Sequence, residues 1–218
     1  MMNDLTLSLL VILATGLLVV IIFVLVRRNR SEQEKKLAQM ALERGWKLEV
    51  VKERLVYGQR IRHSDWVIES LTESSGKPEA EGSSNVMAST VWKAPVTGST
   101  VLVGPRTTQI SLGGFGETIT RQLLQMALGE EAEGLEEVKA GSQEFQKRYM
   151  IWAKDPEVVL RLINPFFEST LLNWPKYAPT VKRTAKGLSV ELRNFSLKKP
   201  EEIVTLAKLG DFLLALDF

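Results

Sequence analysis

Leu5–Val26 reads LTLSLLVILATGLLVVIIFVLV, a stretch without a single charged side chain, in which Thr6, Ser8, Thr15 and Gly16 are the few interruptions. At a helical rise of ~1.5 Å per residue it covers roughly 33 Å, the thickness of a bilayer's hydrocarbon core. A lone segment crosses lipid as a helix, because only a helix satisfies its own backbone hydrogen bonds there. The reading is therefore an N-terminal transmembrane helix, with the lipid bilayer as partner of residues 5–26. No small residue lies four positions from Gly16, where Ile12 and Val20 stand, so the stretch has no GxxxG helix-pairing face.

The flanks set the direction. Met1, Met2, Asn3 and Asp4 carry no positive charge, whereas Arg27, Arg28 and Arg30 follow the stretch at once, with Lys35 and Lys36 behind them. A cleaved export signal has a basic start, a shorter apolar run and a small-residue cleavage site. Positive charge beside a span stays on the cytoplasmic side. The expectation is a single-pass protein of the inner (cell) membrane, with its N-terminus outside and everything from residue 27 onward in the cytoplasm. The same basic flank offers charge to anionic headgroups, although a topology signal on a solvated stalk accounts for it.

Outside that stretch remain roughly 190 residues, enough for one domain with a sizeable core. The chain has no cysteine, which excludes disulfides, thiolate metal sites and thiol catalysis. One histidine, His63, cannot make a His-based zinc site within one chain. A net charge of +2, with no basic stripe interleaved with aromatics, gives no footprint for nucleic acid. No cofactor and no metal site is expected.

Ser31 and Glu34 have the S-x-x-E spacing of a capping box, opening a stalk helix with an apolar face at Leu37, Met40, Ala41 and Leu42. Gly45 is placed to end it in the left-handed conformation. The stalk either continues the membrane helix or hinges at Asn29–Ser31. From Trp46 the pattern alternates, and strands are expected at Trp46–Val50, Leu55–Arg62, Trp66–Leu71, Val86–Lys93 and Thr100–Val103. His63-Ser64-Asp65 and Pro95-Val96-Thr97-Gly98 read as turns, and 73–85, rich in Gly, Ser and Glu, as a loop. Val101-Leu102-Val103 is wholly apolar, as a central strand would be. A further strand is expected at Phe145–Ala153. Helices follow at Pro156, behind the cap Asp155, and over Phe166–Trp174. A hairpin turns at Lys186-Gly187, and a last helix opens at Pro200. The fold class is α+β: an anchor and basic flank (1–30), a stalk helix (31–45), and a domain (46–218) with a mostly antiparallel sheet and packed helices.

One stretch has the raw materials of a binding loop. Gly113, Gly114 and Gly116 precede a helix near 118–128, with Arg106 before them and Arg121 one turn into that helix. Glycines ahead of a helix N-terminus expose N–H groups to a phosphate, and the two arginines would add charge. Neither G-x-x-x-x-G-K-[ST] nor G-x-G-x-x-G is present, and Glu117 would repel an anion there. A structural connection whose glycines permit a tight turn is the favoured reading, with Glu117 complementing the helix dipole. The acidic run Glu130, Glu131, Glu133, Glu136 and Glu137 lacks the spacing of a Mg²⁺ or Ca²⁺ loop and reads as a solvated face. His63 reads as a solvated turn residue, with no Asp–Ser or Cys constellation that would make it part of a triad. No catalytic residue is assigned.

The second half also resembles a bacterial membrane-anchored family of unknown function. The resemblance lies in Phe145, Tyr149 to Pro156 (YMIWAKDP), Leu162 to Pro165 (LINP), Leu171-Leu172 and Gly187 to Leu192 (GLSVEL), with Gly45-Trp46 and Tyr57-Gly58 in the first half. It spans most of residues 37–195 and implies no activity, cofactor or partner. Function is thus expected to be non-enzymatic. The leading reading is a cytoplasmic interaction or scaffolding domain with a protein partner at the membrane. The alternatives are an accessory single-span subunit of a larger membrane complex, or an enzyme holding a phosphorylated ligand on the Gly113–Gly116 loop.

Overall fold

In a computed structural model, residues 4–74, 86–106, 124–125, 128–175, 177–197 and 199–216 are described, with side chains from residue 12 onward except Arg30. Gly113, Gly114, Gly116 and Arg121 lie outside these residues, as does most of the expected helix over 118–128.

The apolar N-terminal stretch and the stalk are one helix, α1 (Asp4–Glu43), of 40 residues. It is the one described helix long and apolar enough to cross a membrane, with every side chain from 12 to 26 exposed. Ser31 therefore caps nothing: with residues 27–30 already helical, its neighbours' N–H groups bond back to the preceding turn. The end of the helix is as expected. Gly45 has φ +69°, its N–H donates to Leu42 O (3.1 Å), and Trp46 N–H donates to Ala41 O (2.7 Å), the two bonds of a Schellman motif. That reversal delivers the chain into the first strand.

The strands are β1 (Lys47–Lys52), β2 (Val56–Arg62), β3 (Val67–Ser74), β4 (Val86–Ala94), β5 (Val101–Pro105), β6 (Glu136–Glu137), β7 (Tyr149–Ala153), β8 (Thr180–Thr184) and β9 (Gly187–Arg193). They form one sheet in the order β1-β2-β3-β4-β9-β8-β5-β7-β6, and every pairing is antiparallel. Further α-helices are α2 (Gln143–Arg148), α3 (Pro156–Leu162), α4 (Pro165–Leu172) and α5 (Pro200–Ala215), and Gly129–Ala132 form a short 3-10 helix. The protein is α+β, with a large antiparallel sheet and several helices.

Because side chains alternate across a sheet, register decides which residues share a face. Ile61, Ile68, Trp92, Val190, Val181, Val103 and Ile151 are register partners in turn from β2 to β7, and none is more than 2% exposed. This row is the floor of the main core. α5 packs over β4 and β9, α2 and α3 against β7, and the end of α1 against α5 and β1. Leu37 and Ala41 of α1 are each 1% exposed, so the long helix ends inside the domain's core rather than beside it. Fully burying one leucine is worth roughly 1.5–3 kcal/mol, which is enough to make this joint firm.

The opposite face is charged over β1 to β9. Glu69 accepts from Arg60 (2.7 Å) and Lys93 (2.7 Å), Glu49 from Arg62 (3.1 Å), and Glu191 from Lys182 (3.0 Å) and Arg193 (3.0 Å). Toward β5 and β7 that face is covered instead: Leu102 and Trp152 pack with Leu124, Leu128 and Leu135 in a second, smaller core.

Two further expectations are corrected. Residues Phe145–Arg148 are helical, not the start of a strand. Ser142 Oγ accepts from Phe145 N–H (3.2 Å) and caps α2, and the Phe145 and Tyr149 rings stack with centroids 4.9 Å apart. In an extended chain residues four apart stand ~13 Å apart, so burying this pair together requires the helical turn. The second correction concerns Pro95–Gly98, which does not turn β4 into a neighbouring strand. The β8–β9 hairpin is inserted between β4 and β5, so residues 95–100 cross over it. Arg183 of β8 lies beneath the crossing and donates to Thr97 O (3.0 Å), and a Cβ at Gly98 would collide with its guanidinium.

The start of α3 is as the sequence suggests, and α4 opens on Pro165 in the same manner. Asp155 Oδ1 accepts from Glu157 N–H (2.9 Å) at α3, and Asn164 Oδ1 accepts from Phe167 N–H (3.0 Å) at α4, with Pro156 and Pro165 in the first turns. β5 is interior as expected, with Val101, Leu102, Val103 and Gly104 all buried between β8 and β7.

Candidate functional site

Arg106 follows β5, where the chain leaves the sheet. Its backbone N–H donates to Arg148 O (2.7 Å), its Nε to Gln146 O (3.1 Å), and its Nη2 to Glu137 Oε1 (2.8 Å). The guanidinium thus joins β6 to the end of α2 across β5 and β7. A recess of about 80 Å³ lies beside it, lined by Glu137, Lys139, Gln146 and Tyr149 among others. That volume is small for a phosphorylated metabolite, since ligand sites usually enclose about 300–1,000 Å³. Glu137 already compensates the charge that would attract an anion.

Tyr149 is the most perturbed titratable group of this region. Burial pushes its hydroxyl up to about 12, against a smaller opposing effect of Arg148. The hydroxyl donates to Leu171 O (3.0 Å), so it is a satisfied core donor tying β7 to α4.

The acidic run is not uniformly a solvated face. Glu130, Glu133, Glu136 and Glu137 are exposed. Glu131 is half-buried, and its Oε2 accepts from Ala185 N–H (3.1 Å) and from Thr100 Oγ1 (3.4 Å). It pins the turn of the β8–β9 hairpin to the start of β5. Among the described residues no group of three or more His, Cys, Asp or Glu is placed to hold a metal ion.

A larger recess was not legible from spacing. It measures about 380 Å³ and is lined by His63, Asp65, Trp66, Lys93, Pro95 and Lys186, with their neighbours. Three segments build it: the β2–β3 turn, the end of β4, and the β8–β9 turn. Both turns carry clear sequence signals, but the strand order that places them side by side does not.

Within it, Ser64 and Asp65 stand beside His63. The order of contacts nevertheless differs from a triad. Ser64 Oγ donates to Asp65 Oδ2 (2.8 Å) and lies 3.3 Å from His63 Nδ1. A triad needs the histidine between hydroxyl and carboxylate; here the hydroxyl is in the middle, with its proton committed to the carboxylate. The imidazole stacks on Trp66 (centroids 5.1 Å, 29° between planes). Trp66 in turn donates Nε1 to Asp211 Oδ1 (2.8 Å) and contacts Trp46 edge-on at 5.1 Å. The turn is therefore fastened to α5 and to the end of α1 through one indole.

Arg27, Arg28 and Arg30 lie on α1 directly after the apolar stretch. Arg28 Nε pairs with Glu32 Oε1 (3.0 Å) one turn on, an exposed pair that leaves the guanidinium at the helix surface.

Comparison of the chain with protein-family models gives no match, and comparison with curated proteins gives none. The motif resemblance therefore assigns no family.

Proposed function

We propose that this chain is a single-pass membrane protein of the inner membrane, whose folded domain lies in the cytoplasm and binds or positions a protein partner there. The observation that carries the reading is the continuity of α1. One unbroken helix bears exposed apolar side chains over residues 12–26, basic residues next, and Leu37 and Ala41 at its buried end. An exposed apolar surface of that extent is stable in lipid and not in water. From Val26 to Leu37 the helix rises ~16 Å, so the domain is held close beneath the headgroups. The basic cluster Arg27, Arg28 and Arg30 favours the cytoplasmic side.

The alternative reading as an accessory subunit differs in where the partner docks: on α1 within the bilayer rather than on the domain. The reading as a phosphate-binding enzyme is weakened by Arg106, whose charge is met by Glu137.

The test has two parts. Membranes carrying the full chain are washed with alkaline carbonate, and the chain should stay in the pellet; release into the supernatant sinks the anchor. The chain is then purified in mild detergent with a terminal tag. A protein recovered in stoichiometric amount with the wild type, and also with a variant whose residues 5–26 are replaced by an unrelated span, supports a partner of the domain. Loss of that protein on span replacement supports the accessory-subunit reading.

A further inference from the structure

We infer that the free edge of β1 pairs with β1 of a second copy, joining two sheets into one across a two-fold axis at Val50. The inference rests on α1 being a membrane anchor.

β1 is the first strand of the sheet, and its outer edge meets no strand among the described residues. The backbone pattern identifies what that edge offers. Glu53 N–H donates to Val56 O (2.8 Å), which makes Glu53 and Val56 a hydrogen-bonded pair of the β1–β2 hairpin. Hydrogen-bonded and non-hydrogen-bonded pairs alternate along an antiparallel ladder. Val51, Glu49 and Lys47 therefore direct their N–H and C=O groups toward β2. Leu48, Val50 and Lys52 direct theirs outward.

The anchor restricts the geometry. Two neighbouring antiparallel strands related by a two-fold axis have that axis perpendicular to the sheet, so each face of one sheet continues into the same face of the other. The end of α1 packs on the same face as α5, over the main core. The buried ends of both copies of α1 then lie on one side of the joined sheet. The axis also requires opposed residues to have the same parity.

Among the registers that overlap most of β1, those centred on Glu49, Val50 and Val51, the one on Val50 matches the side chains best. It sets Val50 opposite Val50 of the second copy, and Val50 is 61% exposed here. Leu48 falls opposite Lys52, so the outward-directed groups of both residues are used. Lys47, whose Nζ lies 3.3 Å from Glu49 Oε1 within its own chain, falls opposite Glu53 at both ends, so each lysine is shared between the two carboxylates across the axis. Moving the centre to Glu49 or Val51 would oppose glutamates instead, Glu49 to itself or to Glu53, which is destabilising.

The test uses the absence of cysteine in the chain. Val50→Cys is introduced into the full chain in native membranes, with Met87→Cys, exposed on the interior strand β4, as control. A hydrogen-bonded antiparallel pair has Cα atoms ~5.5 Å apart, within disulfide range. Mild oxidation should give a disulfide-linked dimer from Val50→Cys at roughly tenfold or more the yield from Met87→Cys, as expected for thiols at high effective concentration. Adding Lys47→Glu to Val50→Cys should lower that yield, and adding Glu53→Lys as well should restore it. Monomer only, equal cross-linking at both positions, a cross-linked species of another mass, or a yield indifferent to the charge changes overturns the pairing. Carbonate washing of the same membranes is read separately. A chain retained in the pellet that fails to cross-link loses the pairing and keeps the anchor.

Discussion

The indole of Trp92 lies directly on the backbone of Gly210, so that a Cβ at position 210 would occupy the space of the ring. Trp92 is 0% exposed and sits at the middle of the core row, on β4. Gly210 is the point at which α5 approaches the sheet closely enough to cover it. Gly210→Ala must therefore push helix and sheet apart, despite alanine's better helix propensity, with an expected loss of about 1–3 kcal/mol. Urea unfolding of the purified chain measures it. Combined with Trp92→Leu, the same substitution should cost less than the sum of the two, because both act on one contact.

The buried end of α1 makes a different demand. Leu37→Ala should destabilise the domain by roughly 2–5 kcal/mol, as truncating a fully buried leucine does. A fragment beginning near Ser31 keeps Leu37 and Ala41, and is expected to be soluble and to unfold cooperatively. One beginning at Trp46 lacks both and is expected to unfold at lower denaturant, or to aggregate. Equal midpoints for the two fragments would show that the helix end is not part of the core.

Acid should weaken the fold through the charged face. Burial alone raises the carboxyls of Glu69 and Glu191, but Lys93 and Arg60 around the first, and Lys182 and Arg193 around the second, hold both below the usual carboxylate range. Groups with a depressed folded-state pKa contribute stability that is complete above their unfolded value, ~4.3, and is lost as pH falls through the lower folded value. The urea midpoint should accordingly be flat from pH 7 to about 5 and decline below it. Glu69→Gln should lower the midpoint at pH 7 and make the acid decline shallower. An unchanged slope would remove Glu69 as a cause.

Arg106 is exposed and paired, and such pairs are worth little. Arg106→Ala should cost no more than about 1 kcal/mol. Nucleotides or sugar phosphates should leave the melting temperature of the chain where it was. A phosphate-dependent rise in Tm that Arg106→Ala abolishes would revive the binding-loop reading.

For topology, a reporter active only in the cytoplasm, fused after Phe218, should be active. Neutralising Arg27, Arg28 and Arg30 together should mix the orientations, since Asp4 and its neighbours supply no competing positive charge. Activity of a periplasm-only reporter at the same position would invert the proposed arrangement.

The sequence by itself determined the features that depend on near neighbours. The apolar stretch, the α+β alternation, Gly45 at the helix end, Asp155-Pro156 and the Lys186-Gly187 hairpin are set by residues a few positions apart, where propensity and capping dominate. Tertiary structure decided whatever depends on distant partners. Phe145 became helical because its ring is buried on Tyr149 and Phe167. The chain after β4 crosses two strands because β9, almost a hundred residues on, is the strand hydrogen-bonded to β4, while β5 lies between β8 and β7. The same long-range pairing gathers His63, Lys93 and Lys186 around one recess and leaves Arg106 beside Glu137, relationships that no local spacing encodes. Ser31 shows the converse: a valid capping signal goes unused because the preceding residues, already helical, offer its neighbours' N–H groups better partners.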